Sequence, residues 1–151
     1  MSLARFREHS AALGITVEVR QMDHTTHTAE DAAAAVGCAV GAIVKSLVFL
    51  VDDQPCLVLV SGSNRVDTAM LGVALDGTAA MADAKTVKSA SGYSIGGVPP
   101  FGHLTPLRTV MDRDLLSHQE VWAAAGAATA VFAIDSARLA EITAAEVVQL
   151  A

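Results

Sequence analysis

The spacing of apolar residues along the chain changes repeatedly between the period of a helix and that of a strand. Residues 3–13 carry apolar side chains at helical spacing, and Gly14 is expected to end this first helix. Ile15, Val17 and Val19 then alternate with polar residues, which predicts a strand. By the same criteria we predict helices over 28–36, 67–73, 83–89 and 136–142, strands over 108–111 and 131–134, and N-caps at Thr28, Asp67 and Ser136.

The longest β-rich stretch, residues 43–51, predicts one arm of a β-hairpin. Asp52-Asp53-Gln54-Pro55 has the composition of a turn, and residues 56–60 predict the second arm. Both faces of the first arm are apolar, so we expect it to be covered on both sides. Short strands interleaved with helices, together with this antiparallel pair, predict an α/β (mixed α+β) fold. The length of 151 residues fits a single domain over residues 1–151.

Lys45 interrupts the apolar pattern of this first arm. Strand alternation places it on the same face as Ile43 and Leu47, near the beginning of the strand. One interpretation is a lysine whose stem lies on the core while its ammonium group reaches water. The other is an amine at the mouth of an apolar cavity, where it would attract a phosphate or a developing oxyanion and have a lowered pKa. The residues alone leave both interpretations open.

The most unusual segment of the chain is Gly96-Gly97-Val98-Pro99-Pro100-Phe101-Gly102. Adjacent glycines allow positive φ and a close approach of another group to the backbone, and the two prolines stiffen the loop. The N–H groups of Gly96, Gly97 and Val98 are candidates to bind a carbonyl or carboxyl oxygen. The segment matches neither the Walker phosphate loop nor G-x-G-x-x-G. A tight connection over the core is the alternative interpretation.

The other chemically reactive residues do not form a recognisable site. Cys38 and Cys56 lie in apolar surroundings without C-x-x-C spacing, so we interpret them as small buried hydrophobic residues. His24 and His27 are three residues apart, but no second ligand pair at metal spacing accompanies them. No Ser-His-Asp set can be nominated either. We therefore expect no metal and no cofactor, and an enzyme with this sequence would use a bound water or a group of its substrate.

Charge and hydropathy limit the classes of partner. The chain has 16 acidic and 10 basic residues, a formal net charge of −6, and its basic residues are scattered. Autonomous binding of duplex DNA or RNA normally needs a basic face, so we expect no DNA partner and at most a contact with one end of a nucleic acid. No apolar run reaches the roughly 20 residues that span a bilayer, and residues 1–5 lack the apolar stretch of a signal peptide. We expect a cytoplasmic protein without membrane contact.

Three segments together resemble one protein family. Gly37-Cys38, the lysine strand 43–49 and the segment 91–102 closely resemble the YbaK/EbsC proteins, and the likeness covers about residues 28–150. The lysine strand followed by the G-x-x-x-P loop, Gly96 to Pro100, is a specific signature, whereas either part alone is weak. The family includes bacterial Cys-tRNA(Pro) and Ala-tRNA(Pro) deacylases and the editing domain inserted in many prolyl-tRNA synthetases.

The resemblance implies a fold and a set of site residues. The implied fold is a single YbaK-like domain with a largely antiparallel, barrel-like sheet and flanking helices. In the implied site, Lys45 is the catalytic residue and holds the phosphate region of the terminal adenosine, while the loop surrounds the aminoacyl ester. The substrate-binding residues carried over are Ser46, Gly96, Gly97, Val98, Pro99, Pro100 and Phe101. Family members cleave the ester without a metal, using water or a substrate group beside the terminal ribose hydroxyl.

The function that the resemblance implies is trans-editing, the hydrolysis of mischarged aminoacyl-tRNA. The expected substrate is tRNA(Pro) carrying Ala, Cys, Ser or Thr, bound by its acceptor end, with prolyl-tRNA synthetase as a partner that helps to present it. The stretch 123–129 is rich in Ala where cysteine-specific members are polar or basic, which argues against cysteinyl specificity. The alternative is a non-catalytic module that binds tRNA, an aminoacyl group or a nucleotide.

Overall fold

The computed structural model of this chain describes residues 2–22 and 28–151. Its α-helices are α1 (Ser2–Ala12), α2 (Ala29–Val36), α3 (Thr68–Leu75), α4 (Ala84–Ser91) and α5 (Ser136–Thr143), and short 3-10 helices cover Val40–Ala42 and Arg113–Ser117. In these described ranges, no helix combines the length and the apolar character that crossing a bilayer requires.

Side-chain caps begin four of the α-helices, and two of them, Thr28 and Asp67, were predicted. Thr28 caps α2, Asp67 caps α3 and Asp83 caps α4, each by accepting hydrogen bonds from N–H groups of the first turn. The cap predicted at Ser136 is wrong. Asp135 caps α5 by accepting from the N–H of Arg138 at 3.0 Å, while the Ser136 hydroxyl donates to a carbonyl elsewhere.

Two separate sheets make up the β structure. The strands are β1 (Val19–Gln21), β2 (Val44–Val51), β3 (Gln54–Ser61), β4 (Ala79–Met81), β5 (Arg108–Asp112), β6 (Glu120–Ala124), β7 (Ala130–Asp135) and β8 (Glu146–Val148). One sheet has the order β1-β7-β6 and the other β4-β2-β3-β5-β8. Among the described residues, β3–β5 and β5–β8 pair in parallel and the other four pairings are antiparallel.

The mixed α/β fold is confirmed, but a barrel is not. An isolated bridge between Ile43 and Trp122 joins the two sheets, which remain open at their edges. Three of the strands, β1, β4 and β8, have only three residues each. Such short strands at the sheet edges offer too few backbone groups for the continuous pairing that closes a barrel.

The predicted hairpin forms between β2 and β3, with a shorter turn than expected. Asp52 and Asp53 have positive φ, 49° and 66°, so these two residues make the whole connection. Gln54 and Pro55 therefore belong to β3. The Asp52 carboxylate accepts a hydrogen bond from the N–H of Thr78 at 3.0 Å, which ties the turn to the chain before β4.

Apolar side chains cover both faces of the hairpin, as its sequence predicts. One face joins the larger core, which also contains residues of α1, β6 and β7, and it contributes Val44, Val48, Leu57 and Leu59. The other face packs against Leu71 and Leu75 of α3, and it contributes Phe49, Val51, Cys56 and Val58. The hairpin is therefore fixed from both sides, and residues at its ends have well-defined positions.

Aromatic side chains attach the segment 93–102 to the larger core. The ring of Phe101 lies 5.4 Å from that of Phe6 in α1 and 5.6 Å from that of Phe132 in β7. The buried Tyr93 donates its hydroxyl to the carbonyl of Gly102 at 2.8 Å. Both ends of the segment are thus anchored without helix or strand.

We predict that Phe101→Ala lowers the free energy of unfolding by about 3–5 kcal/mol, because it leaves a cavity between two other rings. Urea denaturation measures this change. Phe101→Leu is the matched control and should cost less than about 1.5 kcal/mol, since it keeps most of the volume. Equal stability of the two variants would contradict the anchoring role.

Candidate functional site

A cavity of about 250 Å³ opens between the two sheets, at the beginning of β2. Its walls come from α2, β2, the segment 95–98, β6 and β7. The lining residues are Thr28, Ala29, Ala32, Ile43, Val44, Lys45, Ser46, Leu47, Ile95, Gly96, Val98, Trp122, Ala123, Ala124, Ala128 and Val131. Apart from Lys45 and two hydroxyl residues, these side chains are apolar, so the cavity is a mostly apolar pocket with an amine in its wall.

Lys45 is half-buried in this wall and its ammonium group has a defined partner. Nζ donates a hydrogen bond of 2.5 Å to the backbone carbonyl of Asn64, which follows β3. Burial lowers the pKa of Lys45 below its ordinary value, and the charge of Arg65 lowers it further, while Glu30 and Asp112 act in the opposite direction. The ammonium is therefore a cation in partly apolar surroundings, as the second interpretation of Lys45 expects.

Ser46 contributes a buried hydroxyl beside the lysine. Its Oγ has no hydrogen-bond partner among residues 2–22 and 28–151. Ser46 also lines a second, smaller cavity of about 90 Å³, whose other walls are Leu47, Val48, Met81, Ala82, Val87, Ile95, Gly96 and Val98. Because five residues line both cavities, we call the smaller one the annex of the main cavity. A buried hydroxyl without a partner is costly, and a bound polar group would remove that cost.

The glycine segment reaches the cavity through Gly96 and Val98. The N–H of Gly97 donates to the carbonyl of Ser94 at 3.0 Å, which forms a tight turn, and Gly96 has a φ of +89°. This bond occupies one of the three N–H groups that the sequence suggested for oxygen binding. The N–H groups of Gly96 and Val98 have no backbone acceptor in the described part of the chain.

Gly97 is buried against another loop and does not line the cavity. A Cβ at Gly97 would lie 2.9 Å from the Cα of Ala127 and 3.0 Å from the carbonyl oxygen of Gly126. Real Cβ atoms do not approach backbone so closely, so the glycine is required by the contact between the two loops. A side chain here would displace the 94–98 turn and thereby change the cavity wall.

The remaining residues of the predicted set lie behind this wall. Pro99, Pro100 and Phe101 are buried, and none of them lines the cavity. His103 donates from Nε2 to the carbonyl of Pro99 at 2.7 Å, and His9 donates from Nδ1 to the carbonyl of Gly102 at 2.6 Å. Burial lowers the pKa of His103. The structure thus gives these residues a supporting position, while Lys45, Ser46, Gly96 and Val98 share the cavity.

Sequence reasoning found only part of the opposite wall of the cavity. The resemblance indicated the Ala-rich stretch 123–129 as a small, poorly polar pocket wall, and Ala123, Ala124 and Ala128 line the cavity. The strand β6 itself was not predicted, and neither was the contribution of Trp122 and of Ala29 and Ala32 in α2. Alanines are common in cores, so nothing in the pattern of α2 distinguishes a cavity wall from ordinary packing. The available signal was Trp122, since it is the only tryptophan of the chain.

Neither cysteine of the chain lines this cavity. Cys56 is buried and Cys38 is half-buried, both are free thiols, and burial raises the pKa of each, that of Cys56 to about 11. Such thiols are poor nucleophiles. Among the described residues no cluster of three or more His, Cys, Asp or Glu could hold a metal ion. His24 and His27 lie outside the described residues.

The arrangement can bind a small acyl group with a neighbouring anion. The cavity is lined by the Lys45 ammonium-bearing side chain, the Ser46 hydroxyl residue and the backbone turn with Gly96 and Val98, among mostly apolar side chains. Backbone N–H groups and cations of this kind stabilise carbonyl oxygens and the negative charge that develops on them. An aminoacyl ester next to a phosphate has the complementary groups.

Comparison with known proteins agrees with this chemistry. The family model of the aminoacyl-tRNA editing domain matches residues 23–142. The uncharacterized protein YwhH of Bacillus subtilis (strain 168) is 28% identical over 144 residues, which cover 95% of this chain and 92% of that protein.

Solved structures extend the likeness to the whole fold. A crystal structure of a "putative trans-editing enzyme for prolyl tRNA synthetase" is 41% identical, with a TM-score of 0.94, over 99% of this chain and 96% of that one. The crystal structure of hypothetical protein APE2540 is 29% identical, with a TM-score of 0.88, over 97% of this chain and 98% of that one. The cavity, the family model and these structures lead to one conclusion: the chain belongs to the aminoacyl-tRNA editing domain family.

Proposed function

We propose that this chain is a trans-editing hydrolase that deacylates mischarged aminoacyl-tRNA. The observation that carries the proposal is that Lys45, Gly96 and Val98 line one small cavity in a member of the editing domain family. The similarity to a "putative trans-editing enzyme for prolyl tRNA synthetase" supports tRNA(Pro) as the acceptor and prolyl-tRNA synthetase as a partner. The formal net charge of −6 fits a protein that receives tRNA with the help of such a partner.

Lys45 has the proposed role of binding the phosphate region of the terminal adenosine. Its ammonium already has one acceptor, the Asn64 carbonyl, and retains two further N–H donors. The charge of Arg65 acts on the same ammonium. An anion bound there would balance both cations, since neither belongs to an ion pair among the described residues.

Gly96 and Val98 have the proposed role of binding the carbonyl oxygen of the ester. When water adds to the carbonyl carbon, the oxygen becomes negatively charged and backbone N–H donors stabilise it. The bond between the acyl carbon and the ribose oxygen then breaks, and the ribose oxygen takes a proton. The products are a free amino acid and a tRNA with an intact terminal ribose.

The annex is the proposed binding site for the side chain of the amino acid that the tRNA carries. Its volume of about 90 Å³ is several times the roughly 10–15 Å³ that one water molecule needs. Side chains of one to three non-hydrogen atoms therefore fit, which matches Ala, Ser, Cys and Thr. The Ser46 hydroxyl can form a hydrogen bond with a hydroxyl or thiol of the substrate, whereas the other annex walls are apolar or backbone.

Hydrolysis of a panel of charged tRNA(Pro) tests the proposal directly. We expect release of Ala, Ser, Cys or Thr and little release of Pro, whose three side-chain carbons close onto the backbone nitrogen in a ring and cannot enter the annex as an open side chain. The measurement is the loss of radiolabelled aminoacyl-tRNA with time, against a buffer control. Binding of the charged tRNAs without release would favour the non-catalytic alternative, and neither binding nor release would contradict both functions.

We predict that Lys45→Ala lowers kcat/KM by about 10- to 100-fold, the equivalent of one hydrogen bond to a charged group. It should also make the salt dependence of KM less steep, because one phosphate contact is lost. Lys88→Ala is the matched control, since Lys88 is exposed on α4 and does not line the cavity. An unchanged salt dependence in Lys45→Ala would exclude the phosphate role.

We predict that Ser46→Ala changes specificity rather than overall activity. Hydrolysis of Ser-charged tRNA(Pro) should fall by about 10-fold, since one hydrogen bond is lost, and that of Ala-charged tRNA(Pro) should change by less than about 2-fold. The ratio of the two kcat/KM values measures the effect. The same decrease with both substrates would show that the side chain of the substrate's amino acid binds somewhere other than the annex.

A further inference from the structure

Lys45 depends on a hydrogen-bonded assembly outside the cavity, which consists of Asn64, Asp112 and Asp114. We propose that Asn64 is a positioning residue that fixes the Lys45 ammonium at the cavity wall, and that the Asp112 and Asp114 carboxylates hold Asn64 in place. This inference rests on the proposed function of Lys45. None of the three residues lines the cavity, so they act through the lysine.

The backbone carbonyl of Asn64 holds the Lys45 ammonium. Nζ of Lys45 donates to this carbonyl at 2.5 Å, across 19 residues of sequence. A lysine side chain has several rotatable bonds, and its ammonium explores many positions unless an acceptor holds it. The position of the ammonium is therefore as well defined as that of the Asn64 carbonyl.

Hydrogen bonds in turn fix Asn64 itself. Its side-chain Nδ2 donates to Oδ2 of Asp112 at 2.9 Å and to Oδ2 of Asp114 at 2.7 Å. A primary amide has two N–H groups, so both are used. The backbone N–H of Asn64 also donates, to the carbonyl of Ser61 at 2.9 Å. Three hydrogen bonds therefore fix the residue whose carbonyl receives the lysine.

Asp112, which accepts one of these bonds, is buried and only 1% exposed. Its Oδ2 accepts a second hydrogen bond from the N–H of Ser61 at 3.1 Å, and its Oδ1 accepts one from the N–H of Asp114 at 3.0 Å. In the part of the chain that the structure describes, Asp112 has no ion-pair partner. Burying a carboxylate is costly unless hydrogen bonds compensate, and here three of them do.

A purely structural role does not account for the whole arrangement. Asp112 is the N-cap of the 3-10 helix Arg113–Ser117, and Oδ1 alone provides that cap. The bonds of Oδ2, to Ser61 and Asn64, serve the loop after β3 instead. The buried charge also acts on the lysine, because Asp112 and Glu30 oppose the lowering of the Lys45 pKa by burial and by Arg65.

Asn64→Ala tests the proposal, because it removes the side-chain bonds and keeps the backbone carbonyl. We expect KM for the charged tRNA that the wild-type chain hydrolyses best to rise by about 10-fold, with a smaller change in kcat, since a phosphate contact is made before the reaction. In a Lys45→Ala background the same substitution should have no further effect. Ser63→Ala, in the same loop, is the matched control and should change neither constant.

A second measurement reports on the lysine without activity. In the full-length chain with 13C-labelled lysine, NMR relaxation of the Lys45 Cε group should show a restrained side chain in the wild type and a mobile one in Asn64→Ala. Asn64→Ser is the substitute if Asn64→Ala does not fold, because its short hydroxyl cannot reach both carboxylates. An equally mobile Lys45 in wild type and variant would overturn the proposal, as would an equal loss of activity with and without Lys45.

The two hypotheses fail differently. If the wild-type chain hydrolyses no aminoacyl-tRNA, the proposed function is wrong. The relaxation measurement still decides the positioning of Lys45, because it needs no substrate. If hydrolysis occurs and Lys45 is unaffected by Asn64→Ala, only the positioning hypothesis is wrong.

Discussion

The β2–β3 hairpin, covered by apolar side chains on both faces, is the constraint on which the rest of this structure depends. Its residues Leu57, Val58, Leu59 and Val60 are completely buried. A strand in this position has no freedom to shift its register, since a shift by one residue would exchange its two packed faces. The beginning of β2 is therefore held in place, and with it Lys45 and Ser46, whose side chains meet the cavity where the packed part of the sheet ends.

The cavity wall formed by the segment 93–102 has no helix or strand, so its rigidity has a different origin from that of the hairpin. Packing of Phe101 among the rings of Phe6 and Phe132 anchors one end of the 93–102 segment, and the hydroxyl of Tyr93 binds back to Gly102. Close contact between Gly97 and the 126–127 loop fixes the middle. The turn that carries Gly96 and Val98 is thus preorganised, and a preorganised donor is what the role proposed for these two residues requires.

The charged groups that act on Lys45 include residues that do not line the cavity. Lys45 and Arg65 provide cations at one place of a chain that is acidic overall, and the negative charge of the buried Asp112 favours the charged form of Lys45. A lysine that is half-buried loses hydration, so its ammonium depends on the acceptors around it. A phosphate group of a ligand would therefore bind best to the N–H donors of the Lys45 ammonium that these acceptors leave unused.

The sequence by itself determined the elements with strong local signals and half of the cavity. The helix caps at Thr28 and Asp67 follow from side chains that bind their own backbone, and the hairpin follows from two apolar, β-rich stretches on either side of the turn residues 52–55. The resemblance of the lysine strand and the glycine loop to one family also predicted residues that share the cavity. Tertiary structure alone decided the short strands β4 and β8, the open sheets and the part of the cavity wall formed by α2 and Trp122, because three-residue strands and such wall residues gain their stability from partners distant in sequence. The same reason applies to Asn64 and Asp112, which are 48 residues apart and whose relation to Lys45 exists only once the loop after β3 lies beside the end of β5.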